Sequence, residues 1–202
     1  VRAKTTGNFD EVKPYLKKII EYNRKYVEWE QTESLKGYDV LLDEYEKGMT
    51  AAKYDEFFGL IKRELVPFIR RALAAQQPVH SAFLTRSFPV EKQKKFCEYL
   101  AGVMLFDKNK TVIGESEHPY TNNNGNCDVR ITNHYYEGDL ASAIFSAIHE
   151  MGHGLYELQV ADDPQETMSG GGASMALHES QSRFFENNVG RSRPFWERHF
   201  PV

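Results

Sequence analysis

The residues of this 202-residue chain best suited to chemistry are His149-Glu150-Met151-Gly152-His153. Histidines at i and i+4 lie on one helix face, one turn apart. That spacing lets both imidazoles reach a single ion at ~2.0–2.1 Å. Glu150 projects about 100° further round the helix, so it does not compete for the ion but can reach a water on it. A catalytic zinc keeps one position open and lowers the pKa of its water to about 7. The carboxylate then takes the proton as the water attacks a carbonyl, and passes it to the leaving nitrogen. One zinc ion is therefore the expected cofactor; cobalt or another divalent metal suits the same donors. Two glycines, Gly152 and Gly154, flank the second histidine. Each costs about 1 kcal/mol in a helix interior relative to Ala, which predicts close approach by another element. The bare pattern also occurs by chance on surface helices.

A zinc site needs a third protein ligand. Glu157 shares the face of His149, but eight residues at 1.5 Å rise place it ~12 Å away along the axis. A polar or helix-capping role suits it better. Glu166 sits in a loop. Glu179 and Glu186 lie on a later helix, and two antiparallel helices meeting at the ion would complete a His-His-Glu set. Of the two, Glu179 is favoured because it lies nearer the turn Gly170-Gly171-Gly172.

These residues need elements to hold them. Apolar residues recur at helical spacing from Leu140 to about Leu158, so the motif sits on an amphipathic helix. Another helix is predicted from Ala173 to about Asn188. Asp128 to Tyr135 alternates polar and apolar residues, as a half-buried strand does. Thr111 to Gly114 is β-prone, and the Asn/Gly-rich stretch Thr121 to Asn126 reads as a loop. The first half is helical. Asn8 and Glu11 have capping-box spacing ahead of a helix reaching about Gln31. A short helix over Val40 to Glu46 stops at Gly48. A long one from about Ala52 to Ala75 carries Pro67, a possible kink site. Pro78 and Pro89 bracket a connection to a helix over Val90 to Leu105. The fold class is mainly α, with a small β-sheet beside the active-site helix. The whole of 1–202 reads as one metal-binding catalytic region.

Composition excludes several classes. Hydrophobic residues make up 41% and charged residues 27%, ordinary for a globular domain with one core. Net charge is −4, with basic and acidic residues mixed along helices, so neither nucleic acid nor a membrane is an expected partner. No apolar run has membrane-spanning length. Two isolated cysteines, Cys97 and Cys127, fit a reducing, cytoplasmic setting. The start at Val1 and the end at Phe200-Pro201-Val202 suggest a fragment of a longer protein.

The run His149 to Glu157, followed by His178-Glu179-Ser180-Gln181-Ser182-Arg183, resembles the carboxypeptidase Taq family of zinc metallocarboxypeptidases. Two upstream motifs of that family appear in order: His118-Pro119-Tyr120, with Tyr for the usual Phe, and Asp128-Val129-Arg130-Ile131-Thr132. The resemblance implies Glu179 as third zinc ligand and a multi-helical zincin-like (neurolysin-like) metalloprotease fold of the gluzincin type around a deep cleft. It implies cytoplasmic homodimers for the intact enzyme. The activity implied is removal of C-terminal residues from peptides, with broad specificity. Two later motifs of the family, Ile-Arg-x-x-Ala-Asp and Gly-x-x-Gln-Asp-x-His-Trp, are missing from this sequence. They carry groups thought to grip the substrate's C-terminal carboxylate.

The other motif residues have plainer readings beside the functional ones. His118, Arg130 and Thr132 could line the cleft. For Arg130 a structural role is favoured, as a buried pair with Asp128 or a helix glutamate. His178 and Gln181 are candidates to support the ligands from behind, with Arg183 alongside Gln181. Ser169 to Ala173 could form a flexible cleft wall. Cys97 reads as core; His80, His134 and His199 have no assigned role. A zinc oligopeptidase or endopeptidase of related fold is the alternative enzyme, and a non-catalytic metal-binding module the alternative from another class.

Overall fold

A computed structural model describes residues 2–77, 81–165, 167 and 170–200. His80, Glu166 and Ser169 lie outside the described residues. The chain divides into two compact units, Val1–Val79 and His80–Val202. Composition alone marks no such boundary.

The first unit is helical: α1 (Arg2–Thr6), α2 (Lys13–Glu30), α3 (Tyr38–Tyr45) and α4 (Ala51–Ala75). Asn8 caps a 3-10 turn at Phe9–Glu11 through the Asp10 amide, not α2 itself. α2 opens with Pro14 in its first turn, where a missing N–H costs nothing. Gly37 and Gly48 bracket α3 with positive φ of 60° and 78°, a region open to glycine. Thr50 caps α4, which runs unbroken through Pro67. Only Val40 is buried among the described residues of this unit. The apolar side of α4, including Phe57, Leu60, Phe68 and Leu73, is exposed.

The second unit holds the core. It comprises α5 (Val90–Val103), β1 (Thr111–Glu115), β2 (Tyr120–Asn123), β3 (Val129–Asn133), α6 (Leu140–Leu158), α7 (Met175–Arg183) and α8 (Arg193–His199). The sheet order is β1-β3-β2; β1 runs parallel and β2 antiparallel to β3. β3 is central, and its alternation is satisfied: Val129 and Ile131 are buried against α5 and α6, with Leu100, Ile144, Ile148 and Met151. β2 replaces the expected loop. Thr121 pairs with Ile131 and Asn123 with Val129, so β3 supplies the pairing that Asn-rich propensity does not. The loop signal belongs to the tighter turn after it, where Gly125 has a φ of 105°.

The last predicted helix is two elements. α7 starts at the Ser174 cap and gives way to a π-helical segment, Phe184–Gly190. Wider π turns are a known feature of functional sites, and this one carries Glu186. Among the described residues no helix is long and apolar enough to cross a membrane.

Candidate metal centre

α6 presents the motif because Asp139 caps its start and its apolar face is buried in the core. Both flanking glycines meet close neighbours. A Cβ on Gly152 would lie 2.8 Å from the Ser182 Cα, and one on Gly154 would lie 2.6 Å from the Phe106 ring. α7 therefore packs backbone-to-backbone on α6 beside His153. That contact brings Glu179 over the two histidines. Its Oε2 lies 3.7 Å from His149 Nε2 and 3.3 Å from His153 Nε2. One donor atom from each of His149, His153 and Glu179 falls within 4.8 Å of the others. Tetrahedral bonds of ~2.0–2.1 Å would space donors roughly 3.3 Å apart, so this donor set fits a zinc-like ion.

Electrostatics favour the ligating forms. Burial, with His178 and His149 beside it, pushes the His153 imidazole down to about 4, so it is neutral near neutral pH. Burial alone would push Glu179 up. The hydrogen bond from Arg183 Nε at 2.7 Å, with His149 adjacent, outweighs it and holds the carboxyl below the usual glutamate range. Glu150 is buried, and burial raises its proton affinity against a 2.6 Å hydrogen bond from Thr121 Oγ1. It faces a cleft of about 470 Å³ whose lining includes His118, Phe145, His149, Arg183 and Arg191.

Glu186, the competing ligand, sits on the other edge of His149. Its Oε2 lies 3.0 Å from Nδ1, opposite the Nε2 that faces Glu179. Arg191 and Arg183 hold it in turn, at 2.7 and 3.2 Å, and Arg191 stacks 3.8 Å over Phe145. Against burial, the hydrogen bonds with Arg191 and His149 keep Glu186 below the usual range. Ligand support from a carboxylate is the common arrangement for a metal-bound histidine.

The remaining motif residues are more scattered. His118 lines the cleft, with Nδ1 2.6 Å from the Pro119 carbonyl. Arg130 is exposed and forks onto Asp128 at 2.7 Å twice, so the pair is not buried. Its face of β3 points away from the core that Val129 and Ile131 fill. Thr132 shares hydrogen bonds with Ser116 and Tyr120, joining β1's end to β2. Gln181 contributes its backbone carbonyl to the contact near Gly152, while Arg183 is the residue that grips Glu179. His178 reaches His153, with Nδ1 atoms 2.6 Å apart.

Sequence reasoning missed Thr121 and Asn123 and misjudged Glu157. Glu157, read as a polar or helix-capping group, is 6% exposed and bonded to His178 and Asn123. One signal was available. Glu150 and Glu157 are seven apart on α6, and Thr121 and Asn123 are two apart on β2, so each pair shares a face.

Comparison with known proteins follows the same residues. The sequence model for Carboxypeptidase Taq (M32) metallopeptidases matches residues 1–202. The chain is 36% identical over 199 residues to Carboxypeptidase 1 of Bacillus subtilis, covering 98% of this chain and 39% of that protein. It is 40% identical over 164 residues to Thermostable carboxypeptidase 1 of Thermus thermophilus, covering 81% of this chain and 32% of that one. The BsuCP crystal structure superposes with a TM-score of 0.91 at 34% identity, covering 99% of this chain and 40% of that chain. The chain thus spans about two fifths or less of the length of these relatives.

Proposed function

The chain belongs to the carboxypeptidase Taq (M32) metallopeptidase family, and on that premise we propose that it supplies the metal centre of a zinc-dependent carboxypeptidase acting broadly on peptide C-termini. The observation that carries this reading is the convergence of His149 Nε2, His153 Nε2 and Glu179 Oε2 beside the cleft that Glu150 lines.

In this reading His149, His153 and Glu179 would hold the ion. The ion would polarise the scissile carbonyl and acidify a water. Glu150 would accept a proton from a water in the cleft and return it to the leaving amine. Thr121 fixes the orientation of the Glu150 carboxylate, and burial raises its proton affinity, which suits a group that must both take and release a proton. Glu186 keeps His149 turned toward the ion from the Nδ1 side.

The test compares paired peptides with free and amidated C-termini, using the intact protein loaded with zinc. Stepwise loss of C-terminal residues from the free peptide, with the amide spared, is expected. Internal cleavage of both peptides equally would instead support an endopeptidase. Zinc binding with no hydrolysis of either would leave a metal-binding module.

A further inference from the structure

Glu157 lies too far along α6 to share the ion with both histidines, yet it is among the most buried acids of the described residues. A buried carboxylate is costly unless its oxygens are satisfied. Both are: Oε2 accepts from Asn123 Nδ2 at 2.6 Å, and Oε1 accepts from His178 Nε2 at 2.6 Å. His178 then meets His153 across the 2.6 Å Nδ1–Nδ1 contact. Only one of those two nitrogens can carry the hydrogen. With its proton on Nε2 facing Glu157, His178 offers a lone pair at Nδ1. The hydrogen in the contact therefore belongs to His153 Nδ1. That tautomer leaves the lone pair of His153 on Nε2, the atom 3.3 Å from Glu179 Oε2.

The surroundings hold this chain of groups in place. Tyr156 meets the His178 ring edge-on at 5.2 Å. At Gly172 an added Cβ would lie 2.7 Å from His178 Cδ2, 2.8 Å from Tyr156 Cε1 and 3.4 Å from Glu157 Oε1. The loop backbone thus closes directly over the rings, and a side chain there would displace them.

We propose that Asn123, Glu157 and His178 are positioning residues that fix His153 in the tautomer able to bind metal, with Glu157 as the anchor. The inference rests on the reading of His149, His153 and Glu179 as ligands. It makes the two histidines unequal: His149 is held by a carboxylate directly, His153 through an interposed imidazole.

The experiment measures zinc affinity of the intact protein by competition with a chelator. Glu157→Ala and His178→Phe should each weaken binding by about 10–100-fold, and the double variant should be no worse than the weaker single one, because both break one chain. Folded variants within twofold of wild type, or losses that multiply, overturn the proposal. A second measurement needs only the isosteric Glu157→Gln. In the cobalt-loaded protein, paramagnetically shifted, exchangeable ring N–H proton resonances report the His149 and His153 Nδ1 hydrogens. One should shift or exchange faster while the one held by Glu186 stays; two unchanged resonances overturn the proposal. If wild type binds no zinc, the metal-centre reading fails and the relay with it. If wild type binds zinc and the relay variants match it, only the relay fails.

Discussion

Glu150 and Cys97 are both buried in the second unit, and burial raises the proton affinity of both, but only Glu150 has access to a cleft. Glu150 opens on the cleft, so its carboxylate can exchange a proton with a water there. Glu150→Gln should cut kcat by roughly 10²–10⁴-fold while zinc content stays at one equivalent; measured turnover within a fewfold of wild type would remove Glu150 from the mechanism. Cys97 is 2% exposed, and burial pushes its thiol up to about 12. It should resist alkylation in the native state, whereas exposed Cys127 reacts. Mass spectrometry should find one label before denaturation and two after. The sign of the pH effect follows. Above about 9 the unfolded thiol loses its proton and the folded one keeps it, so this group's contribution to stability falls as pH rises from 9 toward 12. A denaturation series for Cys97→Ser should lose that slope.

Between elements, the contact that sets the site is α6 on α7. Gly152 permits it, since any Cβ would meet backbone of α7. Gly152→Ala should therefore destabilise the second unit by about 1–3 kcal/mol and weaken zinc binding, because α7 carries Glu179. Gly59, in α4, has nothing within 4 Å of its added Cβ. Gly59→Ala should be stabilising by roughly 0.5–1 kcal/mol. Urea melts of the two variants check both signs, and the same sign for both would refute the packing argument. At this scale the sequence was only partly legible. The period-3.6 pattern predicts α6 to its observed ends. β2 was hidden, because Asn122 and Asn123 read as a turn until β3 offers them a pairing partner. The π-helical segment after Arg183 was hidden too, since no residue-by-residue preference marks it.

For the molecule as a whole, the proposed ligands all come from the second unit, from α6 and α7. Zinc bound to the folded state alone would stabilise that unit by about 2.7 kcal/mol at a hundred times Kd. Hydrogen exchange should slow on metal addition in α6 and α7 and stay unchanged in α2 and α4. Equal protection of both units would mean that the ion binds elsewhere or that the two unfold as one. The first unit buries only Val40 among its described residues, so its three longer helices hold each other weakly.

What the sequence determined by itself was the chemistry along one helix. His149 and His153 are four residues apart, so helix geometry alone fixes their common face and sets Glu150 about 100° round from it. The four ordered motifs added the family and, through it, Glu179. Separation in sequence sets the limit of that reading. Whether Glu179 or Glu186 meets the Nε2 edges, that Thr121 reaches Glu150, and that Glu157 anchors His178 all depend on how α7 and β2 dock on α6. Those dockings are decided by packing of Gly152 on Ser182, thirty positions away, and by pairing of β2 with β3, interactions between separate elements. No local periodicity carries them, so only the tertiary structure could assign them.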